Sequence, residues 1–221
     1  MSPFSPDVGF HIAGVPVAYF VVTTWAIVAL LATAAWLVTR HLRVEQPGRV
    51  QSGVEIAVEA IASQLRDAMQ IDPAPYLPLL GTLFVFVVVS NLAAVVPRVS
   101  PPTAHVETPA ALALVVLFAT HYYGIRARGL RGHLAAYAKP SPLLLPLNVL
   151  AELTRTFSLT VRLFGNIMSH ELVLGIVVAL AGLLVPVPLM LLGVLIGVVQ
   201  AYIFTMLAAV FLGAAISARD A

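Results

Sequence analysis

The chain has no cysteine and few charged residues. The absence of cysteine from all 221 residues excludes disulfide bonds, thiolate metal sites and a cysteine nucleophile. Charged side chains make up 10% of the sequence, against roughly 25% in a typical soluble domain, whereas hydrophobic residues reach 60%. The sequence therefore predicts an integral membrane domain. A net charge of +2 is too small to indicate a nucleic-acid partner.

Several functional signals are also missing. Residues 1–13 contain Asp7 and several Pro and Gly but no Lys or Arg, whereas a cleavable signal peptide begins with a positive region. No Walker-type phosphate loop and no hydrolytic triad occurs in the sequence. We therefore expect no cleavable leader, no cofactor, no metal site and no enzymatic activity of the chain by itself.

Five apolar segments are long enough to cross about 30 Å of hydrocarbon. We predict membrane crossings at 15–39, 76–97, 108–125, 146–185 and 189–217. Between the first two, residues 48–70 have apolar side chains at helical spacing and polar ones on the other side, which predicts an amphipathic helix on the membrane surface or against a partner. The expected fold is an all-α membrane protein with one domain, residues 1–221, ending in a long tilted helical hairpin.

Positive charges are distributed unevenly between the two sides of the membrane. Only Arg98 lies in the loops of one side. The other side carries Arg40, Arg43, Arg49, Arg66, Arg126, Arg128, Arg131, Lys139 and Arg219. By the positive-inside rule, we expect the N-terminus outside and the C-terminus in the cytoplasm, in a bacterial inner or plasma membrane.

A polar stripe marks the helix predicted at 146–185. At 100° per residue, five polar side chains fall within about 40° either side of Arg162: Arg155, Ser158, Arg162 itself, Asn166 and Ser169. A guanidinium keeps its proton at physiological pH, and placing one near a bilayer centre costs about 2.5–3.5 kcal/mol on insertion scales. Arg162 therefore predicts an ion path, because such a residue normally faces a protein interior or an aqueous cavity.

Two further polar groups lie off this stripe, at opposite ends of the helix. Glu171 points roughly opposite to Arg162 and about 13–14 Å further along the axis, and His170 precedes it. Glu152 lies toward the predicted cytoplasmic end. We expect two polar approaches that do not meet, since an arginine cannot pass protons as carboxylates and imidazoles do. For Ser158 and Ser169, ordinary interhelical hydrogen bonds are the alternative.

The last predicted helix has small residues at every fourth position. This spacing lets helices approach closely and predicts a packing seam. The seam consists of Gly193, Gly197, Ala201, Thr205, Ala209 and Gly213. Gln200 lies on the same helix, and we expect it to reach Arg162 by a hydrogen bond across the helix pair.

Motifs along nearly the whole chain resemble the a subunit of rotary F-type ATP synthases. The most specific is Arg162-Leu163-Phe164-Gly165-Asn166, and weaker motifs occur in the family's order. They are Pro78-Leu79-Leu80-Gly81-Thr82-Leu83-Phe84, Ser90-Asn91-Leu92, Pro102-Thr103-Ala104, His121-Tyr122-Tyr123-Gly124 and Gln200-Ala201-Tyr202-Ile203-Phe204.

The resemblance implies a stator with two offset half-channels, which carry protons or Na⁺ to and from the carboxylates of a rotating c-ring. Arg162 would be the essential stator arginine. Asn166, Glu171 and Gln200 match polar positions that line the half-channels, and Glu152 resembles an acidic position on the cytoplasmic side. The implied partners are the c-ring, b-type peripheral stalk subunits, other subunits of the complex and the lipid membrane.

Two departures from the family pattern affect the expected ion path. Many bacterial members have a histidine seven residues before the glutamine and a glycine before the glutamate, where this chain has Gly193 and His170. The imidazole has moved to the neighbouring helix, which leaves the relay open. His105 and Glu107 follow Pro-Thr-Ala, where Asn is more usual, and line either an outer vestibule or an exposed loop.

Three other functions remain to be considered. The first is a Na⁺-translocating variant of the same complex, since ion choice is expected to lie in the rotor. The second is a secondary ion transporter, which usually has broken helices at the midplane. The third is a non-conducting membrane scaffold, which would leave the buried charges without a purpose.

Overall fold

The computed structural model describes residues 8–12, 15–40, 48–96, 99–138, 142–182 and 185–217. Within them lie six α-helices: α1 Tyr19–Thr39, α2 Arg49–Met69, α3 Leu77–Leu92, α4 Glu107–Ala138, α5 Leu145–Ala181 and α6 Pro186–Ser217. Five of these, all but α2, are long and apolar enough to cross a membrane. The predicted all-α membrane fold is thus confirmed. Arg43, Arg98, Lys139 and Arg219, used to predict orientation, lie outside the described residues.

The chain before α1 is extended, contrary to the predicted start of the first crossing at residue 15. Strand β1, Val8–Ile12, pairs antiparallel with β2, Val15–Ala18, and the helix begins only at Tyr19. Pro16 drives Val15 toward an extended backbone, and pairing with β1 keeps the chain extended up to Ala18.

Helix α1 is attached to the rest of the molecule by few contacts. Ile27 is its one buried residue, while Trp25 and Trp36 are more than half exposed. Near its start, the ring of Phe20 stacks on His105 with centroids 4.3 Å apart. Its remaining apolar surface is therefore available to lipid or to another subunit.

The C-terminal half of helix α2 packs its apolar face against α6, while Val54 and Val58 in the first half are exposed. Leu65 and Met69 are buried in the core, and a Cβ at Gly213 would stand 3.1 Å from the Cα of Met69. The hydroxyl of Tyr202 also donates to the Gln64 side chain at 2.9 Å. The predicted amphipathic helix thus lies against the protein's own last helix.

The small residues of α6 form the predicted packing seam. Ala201, Thr205 and Ala209 are completely buried, because their short side chains let neighbouring helices approach. Beside them, the Asn91 side chain of α3 donates to the carbonyl of Gly197 at 2.8 Å. This contact and the Gly213 contact with α2 fix α6 at the centre of the bundle.

Helix α4 differs most from the prediction, which ended the third crossing at Ile125 and placed a basic loop after it. The helix continues to Ala138 and is broken at Gly129, where φ is 75° and ψ is 163°. A Cβ at Gly124 would lie 2.8 Å from the ring of His133. In a straight helix, Gly124 and His133 would be about 13 Å apart along the axis. The chain therefore reverses direction at Gly129.

The last two helices form the predicted hairpin with slightly different ends. Helix α5 stops at Ala181, before the predicted residue 185, because Gly182 adopts a φ of 73° that ends the helix. Helix α6 begins at Pro186 rather than at 189, and proline is favoured in a first helical turn because its missing N–H is not needed there.

Candidate functional site

The polar stripe of α5 lies on an exposed face of the helix. Its five members are all exposed: Arg155, Ser158, Arg162, Asn166 and Ser169. The opposite face of the helix is buried, with Leu163 completely inaccessible. Since the stripe lies on a membrane-spanning helix, its polar groups require either a partner protein or water beside them.

Arg162 has no hydrogen bond or ion pair with any residue that the structure describes, and its side chain is exposed. The predicted bond from Gln200 to Arg162 is therefore wrong. The oxygen of the Gln200 amide instead accepts from the Asn166 amide at 2.7 Å. Asn166 lies one turn further along α5, and Gln200 is only 3% exposed, so it is too deep in the helix interface to follow Arg162 outward.

Neither serine of the stripe supports the interhelical alternative. Ser158 and Ser169 are exposed and form no hydrogen bond to another helix within the described part of the chain. Interhelical bonding therefore does not explain their position, whereas a polar surface facing a partner does.

At the far end of α5, the ring of His170 occupies the space that a side chain would fill at Gly193. The two residues belong to α5 and α6, so the glycine lets the imidazole enter the helix interface. Glu171 is half-buried beside it and forms no ion pair or hydrogen bond with a described residue. The structure thus brings together His170 and Gly193, the pair in which this chain departs from the family pattern.

At the other end, Glu152 lines a cavity of about 260 Å³ between α4, α5 and α6. The Tyr137 hydroxyl donates to one of its carboxylate oxygens. The other oxygen lies 3.8 Å from Nδ1 of His121. The Asn148 amide donates to the Tyr137 carbonyl at 2.8 Å and secures this part of α4 against α5. Glu152 is therefore held by α4, a helix that the sequence had not linked to it.

Burial and the nearby carboxylate of Glu152 raise the pKa of the Tyr137 hydroxyl above its usual value. The hydroxyl consequently keeps its proton and acts as a donor to Glu152. Tyr137 lies beyond the membrane-crossing part of α4, which ends at His133. This fixed donor holds the carboxylate at the wall of the cavity.

One histidine and two arginines also line the cavity: His133, Arg128 and Arg155. The ring of His133 packs edge to face against His121 and Tyr137, each at 5.3 Å between centroids. The Arg128 guanidinium donates to the carbonyl of Ala214 at 3.1 Å. Arg155 lies at the exposed rim, with its guanidinium 5.4 Å from the centre of the Phe211 ring. Among the described residues, no three His, Asp or Glu side chains are arranged to hold a metal ion.

Sequence reasoning missed His121, His133 and Tyr137 as neighbours of Glu152. The predicted third crossing, residues 108–125, ended before His133 and Tyr137. The available signal was Gly129 within a basic segment, because glycine commonly marks a reversal of the chain. The sequence did not show which side chains the reversal would bring together.

His105 does not lie on an exposed loop. It is half-buried, stacks on Phe20 and forms a 2.9 Å hydrogen bond between its Nε2 and the Ser100 hydroxyl. Glu107 is exposed in the first turn of α4. The geometry gives His105 a structural role, joining α1 to the segment before α4.

Comparison with known proteins agrees with the sequence motifs. Residues 21–213 match the family model described as ATP synthase A chain. The chain is 56% identical over 215 residues to "ATP synthase subunit a 2" of Bradyrhizobium sp. (strain BTAi1), covering 97% of this chain and 96% of that protein. It is 44% identical over 193 residues to the protein of that name from Acaryochloris marina, covering 87% and 82%. It is 42% identical over 212 residues to the protein of the same name from Pelobacter propionicus, and the match covers 96% of this chain and 92% of that protein.

Proposed function

Because this chain belongs to the ATP synthase A chain family, we propose that its Arg162 separates two half-channels that deliver ions to a rotating c-ring and receive them from it. As a member of the family, the chain is a membrane subunit that takes part in ion translocation, together with the c-ring and other subunits, and is not the catalytic subunit. The roles of individual residues and the orientation of the chain are the proposal.

The observation that carries the proposal is the exposed, unpaired guanidinium of Arg162. A structural arginine in a membrane helix would be expected to bind a carboxylate or several carbonyls of its own chain. No such partner exists among the described residues. A carboxylate supplied by an adjacent subunit would complete the site, which is what a rotor carboxylate would do.

The two half-channels would be placed at the two ends of α5. On the cytoplasmic side, Glu152 lines the cavity between α4, α5 and α6. On the outer side, Glu171 and His170 lie beyond the Asn166–Gln200 hydrogen bond. Ser158 and Ser169 would extend the polar face on either side of Arg162. This assignment places the C-terminus in the cytoplasm and the N-terminus outside.

The mechanism follows from the cost of a charge in hydrocarbon. A neutralised rotor carboxylate can face lipid, whereas an ionised one is strongly disfavoured there. Arg162 attracts the ionised form, lowers its pKa and so promotes release of the ion. Because its own proton does not leave, it also prevents a continuous leak. The membrane potential supplies about 2.3 kcal/mol per charge per 100 mV.

Replacement of the arginine tests the proposal. We expect Arg162→Ala to abolish ATP-driven ion pumping in membrane vesicles while the complex still assembles, because the side chain is exposed and forms no hydrogen bond or ion pair with a described residue. Arg49→Ala, at an exposed position of α2, is the matched control and should pump normally. Coupled pumping at the normal rate by Arg162→Ala would contradict the proposed role.

The coupling ion can be measured in the same vesicles. Pumping that needs added Na⁺ would identify the Na⁺-translocating variant, while pumping without Na⁺ would identify protons. A secondary transporter is disfavoured, since such proteins usually have broken helices at the midplane and α5 is one continuous helix from Leu145 to Ala181.

A further inference from the structure

The cavity beside Glu152 contains a buried histidine that the mechanism above does not use. His133 is 4% exposed, and its Nε2 is buried without a hydrogen-bond partner among the described residues. A buried polar atom of this kind is uncommon, because leaving it unpaired costs about 1–3 kcal/mol. Its ring lines the cavity, so water there can supply the missing partner.

The backbone is shaped to admit this ring. Gly129 has a conformation that reverses the chain. Gly124 lacks the Cβ that would stand 2.8 Å from the His133 ring. Two glycines thus bring an imidazole from the end of α4 back against the middle of the same helix, facing α5.

The charges around His133 suit an exchangeable proton. On α4 it faces His121, Arg128 and the neutral hydroxyl of Tyr137, and on α5 it faces Glu152 and Arg155. The part of α6 that lines the cavity contributes Phe211, Ala214 and Ala215, none of which titrates. One carboxylate and two guanidinium groups therefore line the same cavity as the ring.

We propose that His133 exchanges protons within the half-channel that contains Glu152, between water in the cavity and the carboxylate, with His121 and Tyr137 positioning both groups. The inference rests on the proposed function and adds that this half-channel carries protons. The neutral ring accepts one proton on one nitrogen and releases one from the other. Each passage therefore leaves the charge of His133 unchanged.

The test uses the complete complex in inverted vesicles, with the initial rate of ATP-driven proton uptake measured from pH 5.5 to 8.5 on the outer, formerly cytoplasmic, face. We expect His133→Asn and His133→Ala to lower the rate about tenfold. This is less than the roughly 100-fold minimum typical of a lost acid–base group, because water in the cavity partly replaces the ring. The pH dependence in the range where imidazoles titrate should also flatten.

Chemical rescue distinguishes proton exchange from packing. Added imidazole should restore part of the proton-uptake rate in His133→Ala. Truncation of the side chain enlarges a cavity whose volume is already about 260 Å³, so the added molecule has room to bind. It should not accelerate His105→Ala, the matched control, since that histidine lies outside the cavity. Gly124→Ala keeps the imidazole but displaces it, and should lower the rate about threefold with a shifted pH profile.

The outcomes separate this inference from the proposed function. Wild-type rates and pH profiles in the assembled variants, or transport that depends on Na⁺ and not on protons, would overturn the role of His133 alone. Normal pumping by Arg162→Ala in the same assay would overturn the proposed function itself. If the His133 variants do not assemble, Gly124→Ala provides the test. A wild-type rate and pH profile in that variant would contradict the role of His133.

Discussion

At the scale of single residues, His170 and Gly193 share one space between α5 and α6. The imidazole lies where a side chain on α6 would otherwise stand. A side chain at position 193 would exclude the imidazole, so the histidine at 170 requires the glycine at 193.

Gly193→Ala should disturb this arrangement. The new methyl group would overlap the His170 ring, and overpacking of a filled interface costs about 1–3 kcal/mol. We expect a lower pumping rate and a lower melting temperature. The control is Gly175→Ala, since nothing lies within 4 Å of a Cβ at that position. Equal rates and melting temperatures in the two variants would show that His170 moves aside without cost.

At the scale of an element, the shape of α4 depends on Gly129. Its φ of 75° with ψ of 163° lies in a region that is essentially restricted to glycine. The reversal brings His133 and Tyr137 to Glu152. A straight helix would leave Glu152 without its hydroxyl donor and the cavity without one wall.

Gly129→Ala should therefore destabilise the protein by about 1–3 kcal/mol, the cost of holding a non-glycine residue in such a conformation. Gly81→Ala in α3 is the matched control. Both sites have open space around a Cβ, but only Gly129 has a positive φ. The control should be neutral or stabilising, by up to about 1 kcal/mol. Thermal unfolding in detergent measures both, and equal shifts would contradict a backbone effect.

The attachment of α1 should depend on pH through His105. Burial lowers the pKa of His105, although the Glu107 carboxylate acts in the opposite direction. The folded protein therefore prefers the neutral ring. The stabilisation is fully present above about pH 6.5 and is lost as the pH falls through the lowered pKa.

We accordingly expect the melting temperature of the wild-type chain to fall between pH 7.5 and 5.5 by more than that of His105→Asn. The variant loses the stacking on Phe20 but has no ring to protonate. The difference between the two chains isolates His105 from the other histidines. The same pH dependence in both would show that this contact does not titrate.

At the scale of the whole molecule, the absence of cysteine makes the orientation directly measurable. Helix α3 separates Gly53, exposed on α2, from Val106, which is 46% exposed before α4. We expect a membrane-impermeant maleimide to label Val106→Cys from outside intact cells and Gly53→Cys only in inverted vesicles. The unsubstituted chain is the unlabelled control. The reverse pattern would invert the proposed topology.

The sequence alone determined the membrane class, the five crossings, the amphipathic α2 and the polar stripe around Arg162. These features depend on local hydropathy and on the 3.6-residue period of one helix, which neighbouring elements do not alter. Only the tertiary structure decided that Gln200 pairs with Asn166, that His170 lies on Gly193, and that α4 turns back to surround Glu152. Such contacts depend on the rotation and axial offset of one helix against another, and the periodicity of a single helix fixes neither.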